Sequence, residues 1–558
     1  MKKILLNKFF VLALLIATLS FFSFTQVNDK YFEIAKNLDI FATLYKEVNY
    51  YYVDDINPNK IIRTGIDAML ESLDPYTNYI PEDDIEDYRT MTTGQYGGIG
   101  AIIGKKGNKN IVIMPYEGYP AHTSGIKIGD ELLAIDGKDL TDKNTTEVSK
   151  LLKGQAGTKL KLKIVRYNIA QPIEIEITRQ KIKVENIPYC GMIDTEIGYF
   201  HLTDFTTGAS KEVKDAVNKL KADGAKKIIF DLRENPGGLL NEAVNIANLF
   251  IPKDKDVVST KGKVAEWNKT YPALNPPLDL DIPIVVLTSS RSASAAEIVS
   301  GVIQDYDRGV LVGEKTFGKG LVQATRPLSY NAQLKVTTAK YYIPSGRCIQ
   351  AIDYSKKKED GTGTKIQDSL RREFKTKNGR YVYDGAGLYP DVTVNKTELA
   401  QITQSLINKN LIFDYATEYY YKNKSIAPAK EFKISDAEYE NFVKWLDGKE
   451  YDYKTKVETE LETLTETSKK EKYYEDIKDQ ISQLRDKIYH NKISDLKKFK
   501  SEICKTLEGE IVSRYYLQKG IIEASFDSDE DIAEAVKILK DDARYKSILT
   551  TIAKPTGK

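Results

Sequence analysis

A serine lies where an apolar strand gives way to a helix. The segment 289–297 reads SSRSASAAE and follows the apolar run 282–288, so Ser294 stands at the predicted start of the helix. Amides at a helix N-terminus stabilise the negative charge that develops when a serine attacks a carbonyl group. A serine-rich turn is also an ordinary helix N-cap. Ser294 is therefore a candidate nucleophile that requires a base.

A lysine between two glycines follows 25 positions later. Lys319 lies in the segment 313–320, GEKTFGKG, after a short apolar strand. A lysine whose ammonium group is desolvated has a lowered pKa and can accept a serine proton. The glycines allow close backbone packing around it. A solvated loop lysine is the alternative, and the pairing with Ser294 favours the general base. Ser355 and Lys358 also match S-x-x-K, but they stand in a run of charges where no lysine would be desolvated.

A Pro-Gly-Gly turn completes the set of candidate catalytic elements. The segment 231–238 reads DLRENPGG and follows a predicted strand. Ligand sites in open α/β sheets gather at the carboxyl ends of the strands. Glycine amides in such a turn are free to point at an oxyanion, although a Pro-Gly-Gly sequence alone is also a common turn. Gly237 and Gly238 are therefore candidate oxyanion donors.

The segments around these residues differ in texture. The pattern is helical over residues 29–89, glycine-punctuated and strand-like over 96–179, and polar and helical beyond 397. Between 182 and 395 predicted strands at 227–232, 282–288 and 310–313 alternate with helices, which indicates an α/β domain. The charged stretch 354–377 is predicted to be an exposed loop or insertion.

Four motifs in this order resemble the C-terminal processing peptidases, also called tail-specific proteases. They are DLRENPGG at 231–238, SASAAEI at 292–298, GEKTFGKGLVQ at 313–323 and YYIPSGR at 341–347. The resemblance covers about Phe32 to Val394. It implies a crotonase-like α/β protease core with an inserted PDZ-like β-rich domain and an N-terminal helical segment. The helical C-terminal region lies outside it.

The resemblance implies roles for particular residues. Ser294 would be the nucleophile, Lys319 the general base and Gln323 the group that orients the lysine. The amide of Ala295 would form the oxyanion hole together with that of either Gly237 or Gly238. Asp305 matches an acid that contributes in some members of the family, with a structural helix carboxylate as the alternative. No cofactor and no metal are implied.

The strand-like module also has features of a peptide-binding site. A glycine-rich strand start supplies amides for a terminal carboxylate at Gly98, Ile99 and Gly100, and the helix that begins near residue 144 would wall an apolar pocket with Val148 and Leu152. The stretch 125–137, GIKIGDELLAIDG, resembles PDZ modules. These features predict that the chain binds an extended peptide end by strand addition, and an ordinary β-bulge is the alternative.

The first 25 residues predict export. Three lysines precede the 16-residue apolar run Phe9–Phe24, which is short for a membrane span and suits a signal peptide, with an uncleaved membrane anchor as the alternative. Without residues 1–25 the chain has 79 basic and 80 acidic side chains, so there is no basic excess for nucleic acid. We expect the protein in the periplasm or anchored to the outer face of the inner membrane.

The predicted organisation is an α/β multi-domain protein. Its expected parts are a signal peptide at 1–25, a helical region at 29–90, a PDZ domain at 91–180, the peptidase core at 181–396 and a helical region at 397–558. In the last part Ile477, Ile481, Leu484 and Ile488 form one stripe of an amphipathic helix. Helix packing explains the stripe, with self-association or a partner protein as the alternative.

Two functions are carried forward. The first is an exported serine endopeptidase that recognises the C-terminal end of unfolded or C-terminally exposed protein and peptide substrates through its PDZ domain. The second is a catalytically silent PDZ-containing scaffold on the same fold. A Ser-His-Asp hydrolase is disfavoured because His122, His201 and His490 all lie away from the serine motif in the sequence.

Overall fold

The computed structural model describes residues 30–395, 397–488 and 492–552. The chain divides into two compact units, one formed by the described residues up to Tyr79 with Thr325–Val336, the other by Ile80–Ala324 and the described residues from Thr337 onward. The predicted export signal, Phe9–Phe24, lies outside the described residues. Within the described ranges no helix is both long enough and apolar enough to cross a membrane.

The first unit is mainly helical. Residues 30–51 form one helix and Pro58–Glu71 a second. The second begins at Asn57, whose side chain accepts a hydrogen bond from the amide of Lys60, and a proline occupies its first turn. Asp74 then accepts from the amides of Tyr76 and Thr77, a side-chain turn that ends the helical pattern.

The second unit contains a module with a six-stranded antiparallel sheet. Its strands are Ala101–Lys106, Lys109–Pro115, Glu131–Ile135, Lys138–Asp139, Lys159–Val165 and Ile173–Thr178. The strand order places Ala101–Lys106 at an edge of the sheet, and the helix Thr145–Leu152 packs beside it. That helix begins with a reciprocal capping box between Asn144 and Glu147.

Shorter elements surround this module. Gln95–Gly98 and Gln180–Lys183 pair antiparallel where the chain enters and leaves it. The remaining short elements before the α/β core are the strand Asn78–Ile80, the 3-10 helix Glu82–Asp84 and the helices Ile85–Thr93 and Pro120–Thr123.

The predicted α/β core is built on a six-stranded sheet in which every neighbouring pair except the first is parallel. In spatial order the strands are Tyr189–Met192, Ile197–His201, Lys227–Asp231, Ile284–Thr288, Val310–Gly313 and Val392–Thr393. The central strands are largely apolar and buried, as expected for parallel strands covered on both faces. The helices Ala209–Ala222, Leu240–Asn248 and Ala295–Asp305 cover one face.

The C-terminal region consists of helices, and two of them, Glu530–Lys540 and Asp542–Thr550, pack on the other face of this sheet. Their bounds are Gln401–Asn408, Leu411–Lys422, Asp436–Trp445, Lys456–Lys470, Tyr474–Ile488, Lys492–Lys498, Lys500–Ser525, Glu530–Lys540 and Asp542–Thr550. From Glu530–Lys540, Ile532 and Ile538 are buried in one cluster with Ile229, Val285 and Val312 of the sheet. The C-terminal region therefore supplies a layer of the α/β core.

The amphipathic stripe in the C-terminal region lies on the helix Tyr474–Ile488. This helix packs against its neighbour Lys456–Lys470, and Ile481 is buried. Leu484, in contrast, is exposed. Helix packing therefore accounts for part of the stripe.

A second sheet contains Asp256–Gly262, Lys269–Pro272, Leu321–Pro327 and Gln333–Tyr342. The prediction of an exposed loop or insertion over residues 354–377 was correct in that most of the stretch is exposed, but wrong in expecting a loop. This stretch contributes to two small antiparallel sheets, Ile352–Lys357 with Gly363–Lys365 and Glu373–Lys375 with Tyr381–Tyr383. Their strands are short and largely exposed, so they lack the apolar alternation that marks a strand in a sequence.

Candidate active site

Ser294 has an unusual backbone conformation at the start of the helix Ala295–Asp305. Its φ is 56° and its ψ is −113°, a combination that residues with a side chain rarely adopt. Such strain costs on the order of 1–3 kcal/mol and persists only where the surroundings impose it. The serine is half-buried, whereas every residue of the helix that follows is buried. The core therefore fixes where this serine stands.

A buried carboxylate links Ser294 to the segment that contains Lys319. Oε2 of Glu297 accepts hydrogen bonds from the amide of Ser294 at 2.8 Å and from the amide of Lys319 at 2.9 Å. Oε1 accepts from Oγ1 of Thr316 at 2.5 Å and from the amide of Gly318 at 2.7 Å. One side chain thus holds the backbones of both candidate catalytic residues, and Lys319 itself is half-buried.

Glu297 is the site residue to which the sequence reasoning assigned no role. Burial raises the pKa of its carboxyl group, while the hydrogen bonds from Thr316 and from the amides of Lys319, Ser294 and Gly318 oppose that shift. The signal was present in the sequence, because a glutamate three positions after a serine at a helix start is the capping-box spacing. The bonds to the lysine segment are a tertiary contact that this spacing does not predict.

The Pro-Gly-Gly turn packs directly against Ser294. A Cβ at Gly237 would lie 2.8 Å from the Ala295 amide nitrogen and 2.8 Å from Cβ of Ser294, and φ of Gly237 is 99°. A Cβ at Gly238 would lie 2.5 Å from the carbonyl oxygen of Phe205. Both positions therefore require glycine.

The side chain of Asn235 organises this turn. Its Oδ1 accepts from the amide of Gly237 at 2.8 Å, and its Nδ2 donates to the carbonyl oxygen of Leu202 at 2.7 Å. The backbone carbonyl oxygen of Asn235 accepts from the amide of Ala293 at 2.9 Å. Because the Gly237 amide is directed at Asn235, Gly238 is the better candidate of the two for an oxyanion donor.

The other predicted active-site residues have defined partners. Nε2 of Gln323 donates to Oγ1 of Thr337 at 3.1 Å. Asp305 is buried and accepts from Arg347 at 2.7 Å and from the amide of Ser345 at 2.9 Å, which is the arrangement of a structural carboxylate.

The histidines of the described region have contacts of their own. Nε2 of His201 lies 3.3 Å from the carbonyl oxygen of Arg233, and Nδ1 of His122 accepts from the amide of Gly118 at 3.2 Å. In the described part of the chain no three acidic, histidine or cysteine side chains are grouped as metal ligands.

The candidate peptide-binding residues lie in the antiparallel module. Gly98 and Gly100 are buried at the strand start, and the carbonyl oxygen of Ile99 accepts from the amide of Ala121 at 2.8 Å. The side chains of Ile99, Val148 and Leu152 are buried in the core of the module. Ile102, on the edge strand, is 42% exposed.

The α/β sheet is covered by helices on both faces, a serine stands at a helix start, and an antiparallel module precedes the sheet. Together these features define the class as a PDZ-containing peptidase fold. The profile of Peptidase family S41 matches residues 196–356, that of the PDZ domain 111–166, and that of the "Probable PDZ-protease, C-terminal helical domain" 402–539.

Named relatives agree with these matches. The carboxy-terminal-processing protease of Bartonella bacilliformis is 36% identical over 321 residues, covering 57% of this chain and 73% of that protein. A probable CtpA-like serine protease of Staphylococcus aureus strain COL is 36% identical over 343 residues, covering 60% and 68%. The chain therefore belongs to the C-terminal processing peptidases of family S41.

The chain is also similar to solved structures. The photosystem II D1 C-terminal processing protease is 24% identical, with 64% of this chain and 92% of that chain covered and a TM-score of 0.34. The PDZ domain of a carboxy-terminal protease from Vibrio cholerae, in complex with a peptide, is 27% identical, with 16% and 99% covered and a TM-score of 0.16. The family and fold predicted from the four motifs are confirmed: this is a serine peptidase with a PDZ domain that acts on peptide or protein substrates.

Proposed function

We propose that this chain is an exported endopeptidase in which Ser294 is the nucleophile and Lys319 the general base. The observation that carries the proposal is the Glu297 carboxylate, which accepts from the amides of both residues. Burying a carboxylate costs free energy of folding. That cost is explained if the relative position of the two residues matters for function. The strained backbone of Ser294 supports the same conclusion.

In the proposed reaction the uncharged Nζ of Lys319 takes the proton from Oγ of Ser294 as Oγ bonds to the scissile carbonyl carbon. The amides of Ala295 and Gly238 stabilise the resulting oxyanion. The C–N bond then breaks, and the Lys319 ammonium gives its proton to the leaving amine. Water hydrolyses the acyl ester, with Lys319 again taking and returning a proton. Gln323 is the proposed orienting group for the lysine.

The PDZ domain is proposed to bring the C-terminal end of a substrate to this site. Its edge strand Ala101–Lys106 lies beside the helix Thr145–Leu152, the arrangement to which an extended peptide can add as a further strand. Amides at Gly98, Ile99 and Gly100 are the proposed carboxylate donors. Export to a periplasm-like compartment, with or without a membrane tether, follows from the apolar run at the start of the sequence. Contact with a partner or a second copy through the C-terminal helices remains part of the proposal.

The experiment uses the purified chain without residues 1–25 and an unstructured protein substrate. We expect cleavage by the wild-type chain, loss of cleavage in Ser294→Ala, and full activity in the control Ser290→Ala, an exposed serine of the same segment. Peptide binding without any cleavage by the wild-type chain would favour the silent scaffold. Equal cleavage by Ser294→Ala and wild type would refute the assignment of the nucleophile.

A further inference from the structure

Arg233 joins the peptidase core to the C-terminal helices. It lies in the turn 231–238, and its Nε donates to both carboxylate oxygens of Asp231 at 3.0 Å. Its Nη1 donates to both oxygens of Asp529, at 2.9 and 2.7 Å, and to Oδ2 of Asp531 at 2.9 Å. One guanidinium group therefore bonds to three carboxylates, two of which come from the far end of the chain.

The two distant carboxylates are built into the start of a helix. Asp529 is the N-cap of the helix Glu530–Lys540 and accepts from the amides of Asp531 and Ile532. The Asp531 side chain is fully buried. Because the same helix packs on the sheet of the peptidase core, the position of both carboxylates is fixed relative to the strand ends.

This cluster touches both arms of the candidate active site. Through Arg233 it contacts the turn that presents Gly237 and Gly238. On the other side, a Cβ at Gly313, the first residue of the lysine segment, would lie 3.5 Å from Oδ1 of Asp531. The carboxyl ends of the strands Lys227–Asp231 and Val310–Gly313 therefore meet the same helix start.

We propose that Asp529 and Asp531 are positioning residues of the peptidase site, which act by holding Arg233 and with it the turn that carries Gly238, the proposed oxyanion donor. This inference rests on the proposed function. Charge-assisted hydrogen bonds restrict a guanidinium group more strongly than neutral hydrogen bonds do. Because an oxyanion donor must be aligned to a fraction of an ångström, slack in this turn weakens binding of the transition state more than binding of the substrate.

The test compares wild type with the double variant Asp529→Asn plus Asp531→Asn. Asparagine keeps the shape and is an equally good helix N-cap, so the substitutions remove charge while preserving the helix start. We expect kcat to fall about 10-fold or more while KM changes less than about two-fold. The affinity for a peptide boronic acid, whose boron bonds to Ser294 and whose oxygen occupies the oxyanion site, should fall about as much as kcat.

The chain offers a matched control. Lys227 begins the same strand that Asp231 ends, and its Nζ bonds to Asp542 of the C-terminal region at 2.7 Å. Asp542→Asn also removes a carboxylate that ties this region to the strand, but at the end away from the site. It should leave kcat, KM and boronate affinity unchanged.

Two further variants keep the test decisive. If the double variant does not fold, Asp529→Asn alone carries the test. Asp529 is 20% exposed, so neutralising it costs less stability than neutralising the fully buried Asp531. Asp529→Glu retains the charge and should restore most of the activity. Wild-type values of kcat and boronate affinity in a folded variant, or an equal loss in Asp542→Asn, would overturn the inference. If wild type shows no Ser294-dependent cleavage, it is the proposed function that fails.

Discussion

The amides of Ser294 and Lys319 donate to the same carboxylate oxygen of Glu297, at 2.8 and 2.9 Å. The two residues come from different segments, one at a helix start and the other in a loop after a strand. A single buried side chain therefore determines how their backbones stand relative to each other.

Replacement of Lys319 should abolish turnover without unfolding the chain. Lys319→Ala removes the base. Lys319→Arg introduces a guanidinium group, which stays protonated and cannot accept the serine proton. We expect kcat/KM to fall at least about 10³-fold in both variants. The exposed Lys315 of the same segment supplies the control, since Lys315→Ala should retain activity. An active Lys319→Arg enzyme would exclude the dyad.

Glu297→Gln should reduce both activity and stability. The amide NH₂ would face donors that now share a carboxylate oxygen, and each donor left unsatisfied in a buried site costs about 1–3 kcal/mol. We expect a lower kcat with little change in KM, together with a lower denaturation midpoint in urea. The control is Glu314→Gln, which changes a half-buried glutamate of the segment that contains Lys319. Wild-type kcat in Glu297→Gln would show that the carboxylate does not align the two segments.

Asp231 should contribute stability that is lost in acid. Burial alone would raise the pKa of its carboxyl group, but the charges of Arg233 and His201 and the Arg233 hydrogen bonds outweigh burial and lower it. The unfolded chain then binds the proton more readily, so the stabilisation is complete above the ordinary carboxyl pKa and disappears as the pH falls through the lowered value.

The measurement is urea denaturation of wild type and Asp231→Asn between pH 7 and pH 3. Breaking a buried ion pair costs about 3 kcal/mol or more, so the difference between the two proteins should be large at pH 7 and shrink below about pH 4. The control is Asp142→Asn, which changes an exposed aspartate and should alter the free energy of unfolding little at any pH. A difference that does not depend on pH would refute the charge assignment.

Cleavage should depend on the substrate's free C-terminus. The PDZ amides are proposed to hold a carboxylate, and an apolar environment beside them favours a small or aliphatic last residue. A bound tail is also kept near the nucleophile, which raises its effective concentration. We expect kcat/KM to be highest for a peptide ending in free Ala and lower for matched peptides ending in amidated Ala or free Asp. Equal values would mean that the module does not read C-termini.

The native protein should be found outside the cytoplasm. The motive is the lysine-flanked apolar run Phe9–Phe24 at the start of the sequence. Fractionation of cells with native expression should place it in the periplasmic or membrane fraction, and N-terminal sequencing should distinguish a cleaved signal from a retained anchor. Recovery of the chain in the cytosol would contradict export.

Local signals were enough to predict many elements. The helix expected to begin near residue 144 is observed as Thr145–Leu152, because its asparagine cap and its apolar spacing lie within one short segment. The strand Val310–Gly313 was predicted with the observed bounds, since a buried parallel strand reads as a continuous apolar run. The family resemblance also needed only the order and identity of four short motifs.

Tertiary structure decided what lies between distant segments. The sequence left the C-terminal region without a role, yet its helix Glu530–Lys540 covers one face of the peptidase sheet and bonds through Asp529 and Asp531 to Arg233. Nearly 300 residues separate these partners, and periodicity reports only which face of a helix is apolar. The identity of the surface that the face covers depends on how the whole chain packs, and so do the bonds from Glu297 to the lysine segment.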